Sequence, residues 1–348
     1  MHVFDSVWIW FAIAAIGTAI IWKGSGLLES SSEKLSIYYR LPPVVHGAIV
    51  VAVGSSFPEL STTVLSALVH GEFQLGVAAI VGSAIFNILV IPALAGLFSP
   101  KRLEADREIV YKEAQFYMVS VAVLLVTFSF AVIYFPAQSE GEGVIAGEMT
   151  RLLALIPVGL YALYVFVQYL EAKENPGDEP EPGTRVGRQW LIFLASLVVI
   201  VIGVEALVRS AIELGDMFGT PSFLWGFTVV AAGTSVPDAF VSIRMARKNE
   251  GVPAIANVLG SNIFDLLVAI PAGVLIAGAT VINFSVAAPM MGLLTVATIA
   301  LFLLMRTGMI LTKRESVFLL VLYAAMVIWV TLESTGVTSL LSGLLMEG

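Results

Sequence analysis

What most constrains this chain is the recurrence of long apolar runs. Stretches of about 20 residues with few charges return along its whole length, and about 20 apolar residues are what a helix needs to cross a bilayer's hydrocarbon core. Of the 348 residues, 58% are hydrophobic and only 13% are charged. Soluble domains carry roughly 25% charged residues. The chain therefore reads as an all-α polytopic membrane protein. A transmembrane barrel would show short alternating segments, and none occur.

Ten transmembrane helices are expected, near residues 5–28, 42–70, 73–97, 108–135, 149–171, 189–214, 221–247, 252–278, 283–305 and 315–334. Pro42, Pro221 and Pro253 stand where helices would start, a favourable place for proline. With the N-terminus placed outside, the inner connections and adjoining helix ends carry 16 of the 18 basic residues, leaving Arg151 and Arg209. The positive-inside rule then predicts a multi-pass protein of the cell membrane with both termini outside. Asp5 before the first run and Lys23 after it are the wrong flanks for a cleavable signal. Residues 171–188 contain ENPGDEPEPGTR, whose acid, proline and glycine content reads as a solvated tether. The expected division is a first five-helix repeat at 1–172, a cytoplasmic acidic linker at 173–188 and a second repeat at 189–348.

The chain has no cysteine, so no disulfide framework or thiolate metal site is expected. A formal net charge of −8 argues against nucleic acid. Seven lysines against 26 acidic residues hint at a salt-adapted host. No P-loop, Ser/His/Asp arrangement or metalloprotease spacing is present, so no enzyme activity is expected. No obligatory protein partner is evident. The expected surroundings are the lipid bilayer and inorganic cations.

Two stretches interrupt the apolar runs in the same way. Gly54-Ser55-Ser56-Phe57-Pro58-Glu59 recurs, shifted by 179 residues, as Gly233-Thr234-Ser235-Val236-Pro237-Asp238. Gly82-Ser83-Ala84-Ile85-Phe86-Asn87 recurs, shifted by 178, as Gly260-Ser261-Asn262-Ile263-Phe264-Asp265. Each half holds five spans, an odd number, so the second half enters the membrane in the opposite sense. This is an inverted-topology repeat, whose halves meet near the midplane and supply an ion site from broken helices.

The polar residues of these motifs suit a hard cation. Glu59, Asp238 and Asp265 lie in apolar runs with no basic residue within a helical turn. Such acids cost roughly 2.5–3.5 kcal/mol each on insertion scales, so they should bind cations or carry protons. Ser55 and Ser56 precede Glu59 by four and three residues, and Thr234 and Ser235 precede Asp238 likewise. Ser83 is four before Asn87, and Ser261 four before Asp265. At these spacings a hydroxyl and a carboxylate or amide share one helix face. Pro58 and Pro237 should break or bend their helices, freeing the carbonyls of Gly54 and Gly233. The carbonyls of Ala52 and Ala231, a turn ahead of the hydroxyls, are further oxygens. An all-oxygen cage of this kind suits Ca²⁺.

Other features are plainer. Glu205 and Arg209 have the spacing of a local i,i+4 salt bridge. His46 and His70 read as interfacial or packing residues. Trp8, Tyr38 and Trp190 fit an interfacial aromatic belt.

At GSSFPE with GSAIFN, and GTSVPD with GSNIFD, the sequence resembles the cation/Ca²⁺ antiporter superfamily, most closely its prokaryotic sodium/calcium exchangers. The resemblance covers both five-span halves. It implies a ten-helix exchanger with spans 2, 3, 7 and 8 around a central site and spans 1 and 6 sliding across them. It implies Ca²⁺ ligation by Glu59, Asp238 and the carbonyls of Ser55 and Thr234. Flanking Na⁺ sites would use Ala52, Ser56, Ser83, Ala231, Ser235 and Ser261, with Asn87 and Asp265 completing the centre. No cofactor is implied. The transported ions would be Ca²⁺ and several Na⁺, exchanged electrogenically. Ser55 replaces a threonine of the usual pattern, Ala84 an asparagine and Asp238 a glutamate. Asp238 with Asp265 also resembles the K⁺-dependent exchangers, and a Ca²⁺/H⁺ antiporter would use the same acids as proton carriers.

Overall fold

A computed structural model describes residues 2–39, 52–137, 144–172 and 185–338. Pro42, His46 and the linker residues 173–184 lie outside the described residues. The first helix, α1 (His2–Tyr38), runs ten residues past the expected end at 28. No proline stops it, and its extension is two-faced: Ser31, Ser32, Leu35 and Ser36 are buried while Glu33 and Lys34 face out.

The second span contains α2 (Ala52–Ser55) and α3 (Phe57–Leu68). Then follow α4 (Phe73–Phe98), α5 (Ala114–Tyr134) and α6 (Arg151–Ala172). The second half opens with α7 (Val186–Phe218). Its next span is α8 (Ser222–Trp225), a π-helical stretch Gly226–Val230 and α9 (Ala231–Arg247). The span after it is α10 (Gly251–Phe264), a π-helical stretch Asp265–Ala269 and α11 (Ile270–Ala277). The chain ends with α12 (Phe284–Arg306) and α13 (Lys313–Ser334). Among the described residues nine helical spans are long and apolar enough to cross a membrane. The second span, described only from Ala52, supplies the tenth helix.

Two small ladders collect the connections at opposite ends. At one end β1 (Leu103–Glu104) pairs with β5 (Ile310–Leu311). A Cβ on Gly251 would lie 2.5 Å from the Glu104 carbonyl oxygen, so the 248–251 turn packs there too. At the other end β2 (Pro136–Ala137), β3 (Ala146–Met149) and β4 (Thr280–Asn283) form one antiparallel sheet. Lys101, Arg102, Lys248, Arg306 and Lys313 therefore gather at the first end, as alternating spans require.

Helix α4 is apolar on every face and buried along almost its whole length, as a helix at the centre of a bundle must be. Gly82 lets it approach the next repeat: a Cβ there would clash with the Phe227 carbonyl oxygen and lie 2.9 Å from the Ala231 Cβ. The repeat also governs how α1 crosses α7. A Cβ on Gly24 would sit 2.7 Å from Ile200, and one on Gly203 would sit 2.9 Å from Ile21. Gly24 and Ile21 lie 179 residues before Gly203 and Ile200, the offset of the first motif.

The two proline motifs behave differently. The first helix stops at Ser55 and restarts at Phe57, with Ser56 at φ −94° and ψ 11°. Pro58 then falls in the first turn of α3, where its missing N–H costs nothing. At the second motif there is no break: α9 carries Pro237 within one continuous helix. This helix is clamped against α4 at Gly82, and its irregularity lies upstream in the 226–230 π-stretch. Residue 237 still offers no N–H to the Gly233 carbonyl.

Candidate ion-binding site

The four motifs meet between α2–α3, α4, α9 and α10. Glu59 is 1% exposed, Asp238 2% and Asp265 0%. Ser56, Ser83, Asn87, Thr234, Ser235 and Ser261 are buried with them, as is Ala231. Ser55 is half-buried at the helix break, and of Ala52 the backbone alone is described. Glu59 lies within electrostatic reach of both Asp238 and Asp265. The structure thus brings the predicted side chains into one region.

Their contacts follow the repeat. Ser56 Oγ lies 2.8 Å from Ser261 Oγ, and Ser83 Oγ lies 2.7 Å from Ser235 Oγ. The repeat maps one pair onto the other, so each hydroxyl meets the opposite half and not the acid on its own helix. Ser261 Oγ also donates to Asp238 Oδ2 at 2.7 Å. Its single proton is then committed, so Ser56 is the donor in the Ser56–Ser261 contact. Thr234 Oγ1 donates to the Ala231 carbonyl at 3.3 Å.

Asn262, which spacing did not single out, joins three spans. Its Nδ2 donates to the Ala84 carbonyl at 3.1 Å and to the Tyr117 hydroxyl at 3.2 Å. Its Oδ1 accepts from Asn87 Nδ2 at 3.0 Å. The signal was in the sequence: Asn262 is the repeat partner of Ala84, and it bonds to that residue's own carbonyl.

Several oxygens remain. Both carboxylate oxygens of Glu59, both of Asp265 and Asn87 Oδ1 are buried without a hydrogen-bond partner. All five are carboxyl or amide oxygens, and buried acceptors call for a donor or a cation. No group of three His, Asp or Glu side chains among the described residues is close enough to hold a metal ion by itself. A cation here must also draw on hydroxyl and carbonyl oxygens. A hard, oxygen-seeking ion fits this donor set, with neither sulfur nor imidazole in it.

The expected Glu205–Arg209 bridge is not the contact that forms. His70 Nε2 lies 3.1 Å and 3.2 Å from the two Glu205 carboxylate oxygens, joining the bend after α3 to α7. His70 is therefore a hydrogen-bond partner of Glu205 and not merely a packing residue, because the crossing of the second span and α7 presents Glu205 to it.

Comparison with known proteins bears directly on this arrangement. The sequence profile described as "Sodium/calcium exchanger protein" matches residues 9–170 and 188–332, which is most of the chain. The chain belongs to the sodium/calcium exchanger family. This exchanger is 25% identical over 296 residues to the sodium/calcium exchanger MaX1 of Methanosarcina acetivorans, covering 75% of this chain and 81% of the relative. Its fold matches the crystal structure of the H⁺/Ca²⁺ exchanger CAX with a TM-score of 0.72 at 15% identity, over 92% of this chain and 82% of the other. It matches the sodium-calcium exchanger NCX_Mj, soaked with Na⁺ and Sr²⁺, with a TM-score of 0.60 at 21% identity, over 92% and 98%. At these identities the structural matches establish the shared fold of membrane exchangers.

Proposed function

We propose that this exchanger extrudes Ca²⁺ in exchange for Na⁺, by alternating access to one central site. The carrying observation is the set of five buried acceptor oxygens on Glu59, Asn87 and Asp265 that lack a donor. Glu59 and Asp238 hold Ca²⁺ with the carbonyls of Ser55 and Thr234. The hydroxyls of Ser56, Ser83, Ser235 and Ser261 and the carbonyls of Ala52 and Ala231 serve Na⁺. Asn87 and Asp265 complete the centre. Ca²⁺ and Na⁺ compete for shared oxygens, so exchange needs no contact between the ions. Each net charge moved inward contributes about 2.3 kcal/mol per 100 mV. The name of MaX1 supports the Na⁺ coupling. The gathering of basic residues at the β1–β5 end supports a cell-membrane orientation with both termini outside.

A second reading keeps the same site. Asp265 is a third buried carboxyl whose oxygens both lack a donor, one more negative charge than Ca²⁺ balances. A proton or K⁺ on Asp265 supplies the missing charge. Purified protein in Na⁺-loaded liposomes, diluted into Na⁺-free medium with ⁴⁵Ca²⁺, separates these readings. Uptake driven by the Na⁺ gradient alone is expected. Uptake that needs external K⁺, or that a pH gradient drives without Na⁺, favours the second reading. No uptake under any gradient removes both.

A further inference from the structure

The β1–β5 ladder brings four basic side chains to one cavity. The ladder is anchored in the core, because Leu103 pairs with Leu311 and both are fully buried. Followed two residues beyond the strands, its antiparallel register leads to Arg102 opposite Thr312 and Lys101 opposite Lys313. Pro100, Lys101, Arg102, Thr312, Lys313 and Arg314 line a cavity of about 630 Å³ there. The four basic residues are exposed, and among the described residues none of them has a hydrogen bond or an ion pair.

Gathering these charges is unfavourable unless something offsets them. Like charges directly opposite across an antiparallel pair are destabilising. Lys313 and Arg314 also stand in the first turn of α13, where the helix dipole is positive and disfavours cations. The acid nearest to them is committed elsewhere: Glu315 folds back on Thr312 and accepts from its N–H and its hydroxyl, each at 2.7 Å. Glu104 lines a separate cavity of about 190 Å³ and is not part of this one. The positive-inside rule accounts for basic residues at this end of the molecule, but not for their convergence on one cavity. A phosphate would supply the missing charge, taking an arginine fork on two of its oxygens and lysine ammonium groups on the others.

The surroundings point to a lipid as the source of that phosphate. Val317 and Phe318 follow Lys313 and Arg314 by four residues, and Val321 follows Val317 by four, so they continue the same side of the helix. They are 50%, 52% and 61% exposed, on a helix long and apolar enough to cross a membrane. The four cations therefore stand at the polar end of a lipid-facing stripe, where headgroups lie. We propose that Lys101, Arg102, Lys313 and Arg314 bind the phosphate of an anionic phospholipid, whose acyl chains run along Val317, Phe318 and Val321. The bound phosphate clamps the 101–102 connection to the start of α13. None of the four residues belongs to the ion cage, so this inference holds whichever ions are exchanged.

The test follows Tm of the purified protein in a non-ionic detergent by differential scanning fluorimetry. Phosphatidylglycerol, zwitterionic phosphatidylcholine and inorganic phosphate are added in separate titrations. Phosphatidylglycerol should raise Tm by a few degrees, and the other two should leave it unchanged. Lys101→Gln/Arg102→Gln and Lys313→Gln/Arg314→Gln should each lose most of that rise. Without lipid, the Tm of these variants should equal or exceed that of the unaltered protein, because a repulsion is relieved. That measurement also shows that they fold. Lys34→Gln/Arg188→Gln removes two exposed charges that do not line the cavity and should keep the full rise. An equal rise with phosphatidylcholine, or loss of the rise in Lys34→Gln/Arg188→Gln, overturns the proposal, since bulk lipid or net charge then explains the effect. An equal rise with inorganic phosphate overturns the lipid as ligand. A lipid-free Tm that falls in either cavity variant overturns the premise that these four charges lack a partner.

Discussion

Ser261 donates its hydroxyl proton to Asp238 at 2.7 Å, while the repeat-related acid, Glu59, has no donor on either oxygen. The repeat maps Ser261 onto Ser83, which bonds to Ser235 and not to Glu59. The two halves share a scaffold but present different acids to a cation. Asp238 is partly satisfied by the protein, and Glu59 is left for the ion.

Glu59→Gln should therefore abolish Ca²⁺ transport while leaving the protein folded. The amide keeps the shape but removes the charge. ⁴⁵Ca²⁺ uptake in liposomes should fall to the level of protein-free vesicles. A variant that keeps transporting would remove Glu59 from the ligand set.

Ser261→Ala should act more mildly. It removes one hydrogen bond to a carboxylate, a contact of about 1.5–3 kcal/mol. It also takes the acceptor from Ser56. The expected result is a rise of about tenfold or more in the Ca²⁺ concentration for half-maximal uptake, with transport retained at saturation. Equal loss at every Ca²⁺ concentration would instead mean that the site has collapsed.

Ca²⁺ should stabilise the purified protein against heat. A ligand at 100 times its dissociation constant contributes about 2.7 kcal/mol to the folded state. Differential scanning fluorimetry should show a higher Tm with Ca²⁺, reversed by excess Na⁺ and absent in Glu59→Gln. Stabilisation that survives in Glu59→Gln would place the ion elsewhere.

Gly82→Ala should destabilise the bundle. Its Cβ would run into the Phe227 carbonyl and Ala231, and overpacking costs about 1–3 kcal/mol. Gly159→Ala, on α6, has nothing within 4 Å of the added Cβ. There the replacement should be neutral or raise Tm slightly, because glycine costs a helix interior about 0.5–1 kcal/mol. Equal Tm for the two variants would contradict the close approach of α4 to the 226–231 segment.

Asn262→Ala should cost both stability and transport. It leaves Asn87 Nδ2 without its partner, at about 1–3 kcal/mol for a buried group left unpaired, and takes one contact each from the Tyr117 hydroxyl and the Ala84 carbonyl. Tyr117→Phe removes one of those contacts and should lower Tm less. The reverse order would show that Asn262 does not organise this junction.

The sequence by itself determined the membrane-spanning class, the two five-span halves and the burial of the three motif acids, Glu59, Asp238 and Asp265, though not that of Glu333. These are properties of local composition and of one segment compared with another. A helix cannot hide an apolar run from such a reading. The alternation of loops between two ends followed too, because basic residues gather at one of them. Local spacing was less informative about contacts. It put Ser261 on one face with Asp265 and Glu205 beside Arg209, yet Ser261 meets Asp238 and Glu205 meets His70. It also expected a break or bend at each proline without saying which, where the structure has a break at Ser56 and a continuous helix through Pro237. Tertiary structure decided these points. The partners come from different helices, and in Ser56–Ser261 they come from residues 205 apart in the chain. Where two helices cross is set by glycine-lined contacts such as Gly24 on Ile200 and Gly82 on Phe227. Which hydroxyl then faces which acid depends on how far each helix is rotated and shifted at that crossing, a quantity that spacing along a single helix does not contain.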